Sequence, residues 1–199
     1  MASQTEIVNR ALFKLGGAPI TALTDNTTAA RVMSGIWDSV RKAELMRRYW
    51  NFALNRASLP ALATTPEWGY YYAYQLPPDF LKIAQVNDVW FVPSLQDYRN
   101  FDDSPYAIEG TTIATNFTAP LNIRYVMDVT DPSLFDPLFV EALASKLAYE
   151  ACYAITQSLQ GRDQMGADYK QAILEAGRAN AVAKPPQGIP DDAWIMSRL

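Results

Sequence analysis

Leu138-Phe139-Val140-Glu141-Ala142-Leu143-Ala144-Ser145-Lys146-Leu147-Ala148-Tyr149-Glu150-Ala151 is the stretch that decides the fold of this chain. Apolar residues fill nearly every position, and only Glu141, Lys146 and Glu150 carry charge. A helix that is apolar almost all round must be covered on most of its sides. The pattern predicts a helix from Leu138 to Ile155. Asp136 stands at its N-cap and proline in its first turn, where a missing N–H costs nothing. Asp128 and Asp131, just upstream, read as turn and cap residues. The rest of the chain has to supply the cover.

Three further helices are available for that. Ser3 and Glu6 make an S-x-x-E capping box ahead of Ile7, Ala11 and Leu15, which recur at i, i+4 and i+8. Gly16-Gly17 ends this helix and Pro19 prevents its return. A second helix is expected from about Thr28 to Arg48, capped at Asp25, Asn26 or Thr27. Its stripe reads Val32, Ile36, Val40 and Ala43, with Met33, Trp37 and Glu44 beside it. Its far end is basic: Arg41, Lys42, Arg47 and Arg48, then Arg56 beyond it, with only Glu44 opposing. Cations suit a helix C-terminus, so a solvated helix end explains them; a contact with a neighbouring molecule is the sharper reading. Gly161 marks a break after the apolar helix. A fourth helix follows from about Asp163 to Asn180, with Met165, Tyr169, Ala172, Ile173 and Ala176 on its inner face.

Between the helical halves the period changes. Strands are expected at Asn51–Leu59, Tyr70–Gln75, Leu81–Val92, Tyr106–Ala114 and Leu121–Val126. Leu121, Ile123 and Tyr125 alternate with Asn122 and Arg124, the mark of a sheet with one buried face. Glu109-Gly110 suits a tight hairpin turn, and Pro77-Pro78-Asp79 separates two strands. Pro93 to Pro105 is polar, with Asp97, Asp102 and Asp103, and reads as an exposed loop. Trp68 with Tyr70-Tyr71-Tyr72-Ala73-Tyr74 is the densest aromatic cluster. Such a tract is most simply a strand with large side chains on both faces. Aromatic tracts also stack on bases or pack against sugars, and if both faces are covered in a fold this small, a neighbouring subunit can cover one of them.

The fold class is therefore α+β. Residues 1–48 and 132–182 form a mainly antiparallel helical bundle. Residues 49–131 form an inserted small antiparallel β module. Residues 183–199 form an extended C-terminal arm. In that arm Lys184-Pro185-Pro186-Gln187-Gly188-Ile189-Pro190 is neither helix nor central strand, and Trp194, Ile195 and Met196 follow it. An apolar cluster on an extended arm either folds back on its own bundle or docks on a partner.

Composition narrows the chemistry. The chain has 199 residues, 49% hydrophobic and 19% charged, and its net charge of −4 gives no general reason to expect tight nucleic-acid binding, local basic patches aside. It contains no histidine and one cysteine. That excludes Ser/His/Asp and Cys/His arrangements and an intrachain disulfide. Cys152 reads as a small core residue. There is no phosphate-binding glycine loop and no Cys/His metal pattern. The acid pairs Asp102-Asp103 and Asp191-Asp192 lie in loop and tail. The opening Met1–Glu6 lacks a signal pattern, and no stretch reaches the ~18 apolar residues of a membrane span, so no membrane anchor is expected.

Four pieces, in their order and spacing, resemble the head-to-tail adaptor family of short-tailed bacteriophages, the tail tubular protein A family. They are Glu6-Ile7-Val8-Asn9-Arg10-Ala11-Leu12 with Leu15-Gly16, Leu76-Pro77-Pro78-Asp79-Phe80-Leu81-Lys82-Ile83, the hairpin Tyr106–Ile113, and the helix Phe139–Ala154. The resemblance runs from Ser3 to about Asn180. It implies a structural viral protein without enzymatic activity or cofactor. It implies a homo-oligomeric ring, usually a dodecamer, that joins the portal protein ring to the tail nozzle protein. Genomic DNA would pass through its lumen unread during ejection. The location implied is the neck of the virion, after assembly in the host cytoplasm. On this reading Trp194, Ile195, Met196, Arg198 and Leu199 dock on the portal or another partner ring. Arg41, Lys42, Arg47, Arg48, Asp102, Asp103 and Tyr71 make contacts between subunits, the basic helix end meeting the acidic segments at 97–103 and 128–136. Two other readings stand beside it. One is a head-completion connector of a long-tailed phage or prophage. The other is a glycan-binding protein or enzyme that uses the Trp68–Tyr74 patch.

Overall fold

A computed structural model describes residues 2–87, 89–90 and 105–183. Its four helices are α1 (Gln4–Lys14), α2 (Thr28–Arg47), α3 (Pro137–Thr156) and α4 (Leu159–Val182). Among the described residues seven strands lie between α2 and α3: β1 (Leu54–Leu59), β2 (Tyr72–Gln75), β3 (Phe80–Val86), β4 (Val89–Trp90), β5 (Tyr106–Glu109), β6 (Thr112–Thr115) and β7 (Leu121–Met127). The fold is α+β, as the sequence predicts.

The apolar helix α3 packs against α1, α2 and α4, which is why it needs no polar face. Ten of its side chains are buried, from Phe139 to Cys152. Helix α1 opens with the full capping box. The Ser3 hydroxyl accepts from the Glu6 amide, and the Glu6 carboxylate accepts from the Ser3 amide at 2.7 Å. It closes through Gly16, whose φ of +70° is open to glycine at little cost, with the Gly17 amide reaching back to Leu12 O. Asn9 then pins the α1–α2 connection by exchanging two hydrogen bonds with the Ile20 backbone. Thr27 caps α2.

Three expectations need correction. The inner stripe of α2 is Met33, Trp37, Val40, Arg41, Glu44 and Leu45, while Val32 and Ile36 are half-buried and Ala43 is exposed. Two charged residues sit in the buried stripe, so a reading that sends charge outward rotates the helix by about one position. The break between α3 and α4 falls at Gln157, which takes φ +55°, and Ser158 caps α4. Gly161 lies inside the first turn and donates its amide to the Ser158 hydroxyl. Asp136 holds the N-cap position of α3, but its side chain makes no capping hydrogen bond.

The β module is two antiparallel sheets, ordered β1-β7-β3-β4 and β2-β6-β5. They share one cluster of buried side chains, with Tyr74 and Ile113 from the smaller sheet against Leu59, Ile83, Leu121, Ile123 and Tyr125 from the larger. The alternation along β7 holds, with Asn122 and Arg124 on the outer face. The expected strand Leu81–Val92 is instead a hairpin, turned at Asn87 with φ +51°. Gly110, at φ +61°, opens the two-residue turn of the β5–β6 hairpin. Residues 51–53 form a single 3-10 turn ahead of β1.

Asn180 at the end of α4 ties the bundle to the β module. Its side chain accepts from the Asn51 amide at 2.8 Å and donates to Tyr49 O at 2.9 Å. Asn51 returns a bond to the Asn180 carbonyl. Trp50, Phe52, Phe135 and Phe139 stack in one aromatic group beside it.

Candidate functional site

The basic end of α2 divides into an internal brace and an exposed remainder. Arg41 is 2% exposed. Its guanidinium pairs with Asp128, donates to Val129 O at 2.6 Å and reaches Asp38 at 3.2 Å. Lys42 adds a second cation to Asp128 at 3.4 Å. Burial alone raises the pKa of Asp128, but the hydrogen bonds and charges of Arg41 and Lys42 outweigh it and hold the carboxyl below its ordinary range. The pairing expected between subunits for Arg41 and Asp128 is thus made within the chain. Asp131 is also engaged locally, accepting from the Ser133 amide at 2.9 Å.

Glu44, which reads as lone opposition to the basic residues, is buried too. It accepts from the Tyr169 hydroxyl at 2.6 Å, and its other oxygen has no hydrogen-bond partner. Burial first, and then the Glu44 carboxylate, push the Tyr169 hydroxyl well above its ordinary range. Arg47 lies over the Tyr169 ring, 5.5 Å from its centre, and keeps an exposed guanidinium. Arg48 is packed against α4 so closely that a Cβ on Gly177 would meet its guanidinium at 2.5 Å. Of the four cations assigned to subunit contacts, Lys42 and Arg47 remain at the surface. Asp97, Asp102 and Asp103 lie outside the described residues, as do Trp194, Ile195, Met196, Arg198 and Leu199.

Arg56 belongs to a different surface. On the outer face of the larger sheet it stands directly opposite Arg124 in the β1–β7 register. Ser58, Gln85, Asn87 and Asn122 complete the lining of a cavity of about 380 Å³ there. Burial and the charge of Arg56 both lower the Arg124 pKa. Sequence reading missed this juxtaposition, because it depends on register.

The aromatic tract is part loop and part strand, for β2 begins at Tyr72 and not at Tyr70 as expected. Tyr74 is fully buried and donates to Phe117 O at 2.7 Å. Trp68 is 86% exposed and Tyr71 74% exposed. The Tyr71 amide donates to the Asn116 side chain, which holds this end of the strand in place. A second exposed apolar region lies on the helical layer. Phe13 is 61% exposed and Leu134 55% exposed, with Leu138 partly so. Phe13 and Pro137 flank a groove of about 730 Å³ between α1 and the start of α3, and Pro137 and Leu138 flank a second of about 360 Å³ beside the end of α4. Phe13 lies off the i, i+4, i+8 stripe of α1, which is the one sign of it in the sequence.

Cys152 is buried beside the Thr156 hydroxyl. Among the described residues no group of three or more His, Cys, Asp or Glu is placed to hold a metal ion, and no helix is long and apolar enough to cross a membrane. No protein-family model matches the chain, and no curated protein matches it in sequence.

Proposed function

We propose that this protein is a structural virion component, the head-to-tail adaptor that joins a portal ring to the tail nozzle as a ring of identical subunits. The observation that carries the reading is the presence of two unlike exposed patches. One is Trp68 and Tyr71 in the segment that leads into the smaller sheet; the other is Phe13, Leu134 and Leu138 on the helical layer. A closed ring of identical subunits needs two different complementary patches on each copy. Large aromatic side chains are common anchors of such contacts. Lys42 and Arg47 keep half-exposed cations at the end of α2, while Arg41 serves the fold.

The test is to mix the purified chain with its cognate portal and image the product. An added ring on the portal supports the proposal; portal rings without added density oppose it. The exposure of Trp68 and Tyr71 also fits a glycan platform, since flat aromatic faces stack on sugars. Saturable glycan binding by a single subunit that never joins the portal would favour that second reading.

A further inference from the structure

The two grooves of the helical layer are neighbours, and Pro137 lines both. The smaller is walled by Trp50, Leu138, Ala176, Ala179 and Ala183. The larger continues on the other side of Pro137, past Phe135 and Val140, to the exposed Phe13. Ala183 is also the residue from which segment 184–199 departs. The segment therefore begins at the edge of the smaller groove. Two features of that segment fit the pair of grooves. Lys184 to Pro190, with three prolines, favours an extended path that spans about 20 Å. That is enough to carry the chain past Pro137. The cluster Ala193-Trp194-Ile195-Met196 then supplies bulky apolar side chains where the larger groove opens. Arg10, on the rim of that groove, pairs with Glu141 at 3.5 Å but keeps an exposed face toward which the preceding Asp191-Asp192 can turn.

We infer that the paired grooves around Pro137 hold the chain's own segment 184–199 in the free subunit. The segment covers Leu138 and Phe13, with Trp194 and its neighbours seated in the larger groove. This stands apart from the adaptor reading. If that reading also holds, docking of the segment on a partner ring has to displace it from the groove.

The experiment uses the full chain with Ser197→Cys carrying a nitroxide, Cys152 being buried. Methyl signals of Leu138, Val140 and Ala179 are expected to lose intensity, while those of Ile113 and Leu121, in the sheet cluster, keep theirs. The loss should persist on dilution. A second variant, Ala179→Trp in the labelled chain, fills the smaller groove from an exposed helix position and should restore the signals of Leu138 and Val140. Undiminished groove signals overturn the inference. So does a loss that fades on dilution, which places the segment in the groove of a second copy, and so does a loss that survives Ala179→Trp.

Discussion

Asp128→Ala should destabilise the protein more than its half-surface position suggests. The carboxylate is the main partner of Arg41, and Arg41 is the more deeply buried of the two. Removing the acid leaves a guanidinium that cannot reach bulk water and keeps only Val129 O and the exposed Asp38. Breaking a buried pair from one side costs about 3–5 kcal/mol. The two remaining acceptors put this case near the lower end, about 3 kcal/mol. For a chain of this size that lowers the melting temperature by roughly 6–12 °C. Lys42→Ala, which removes the exposed partner of the same acid, should cost less than about 1 kcal/mol. Arg41→Met removes the buried charge itself and should cost less than Asp128→Ala. Asp128→Asn adds a pH signature. The folded carboxyl titrates below its ordinary range, so its stabilisation is complete above that range and disappears as pH falls through the folded value. The gap between wild type and Asp128→Asn should therefore be constant near neutrality and close in acid. Thermal and urea melts across pH measure all four variants. A loss for Asp128→Ala no greater than that for Lys42→Ala would refute the brace.

Other expectations follow from the same geometry. Asn180→Ala orphans the Asn51 amide and Tyr49 carbonyl and should cost about 1–3 kcal/mol, with faster hydrogen exchange at Asn51. Tyr169→Phe leaves both oxygens of Glu44 without a donor and should cost about 1–3 kcal/mol by urea melt; Glu44→Gln in the same background should recover part of it. Trp68→Ala with Tyr71→Ala should change stability by no more than about 0.5 kcal/mol per site, because both side chains lie in solvent. The same double variant should lose ring assembly on the portal by sedimentation, which a stability effect would not explain.

The sequence is informative wherever one segment carries its own instruction. The capping box of α1, the Gly16 stop, the all-round apolar α3 and the alternation of β7 each express a local rule, and each appears in the structure as read. It is misleading where tertiary partners overrule that rule. Arg41 and Glu44 are buried because Asp128 and Tyr169, far along the chain, meet them there; periodicity has no access to such partners and so rotates α2. The division of the β module into two sheets is likewise a matter of register. β2 and β3 are separated only by Leu76-Pro77-Pro78-Asp79, yet they enter different sheets, and the bulges in β3 turn Ile83, Ala84 and Val86 inward together. Of the candidate surfaces, the tyrosine run shows that one face needs cover, but its lack of alternation hides which tyrosine is outside. Tyr71 proves exposed and Tyr74 buried. The grooves around Pro137 require α1, α3 and α4 to be assembled, and no single segment announces them.

Burial of charge also bears on how assembly contacts are sought. A cluster of cations in sequence invites charge reversal at all of them. Here reversal at Arg41 or Arg48 strikes the fold, since one is paired inside the chain and the other is wedged against Gly177. Lys42 and Arg47 are exposed, but each stands beside an internal carboxylate, Asp128 at 3.4 Å and Glu44 at 4.0 Å, so neutralisation rather than reversal tests an interface there at least cost to the fold.

The most direct measurement is the native mass of the purified chain, alone and after mixing with its cognate portal ring. The adaptor account predicts a particle equal to the portal plus a full ring of 22.2 kDa subunits. A chain that stays at 22.2 kDa in the mixture, with the portal mass unchanged, would contradict it.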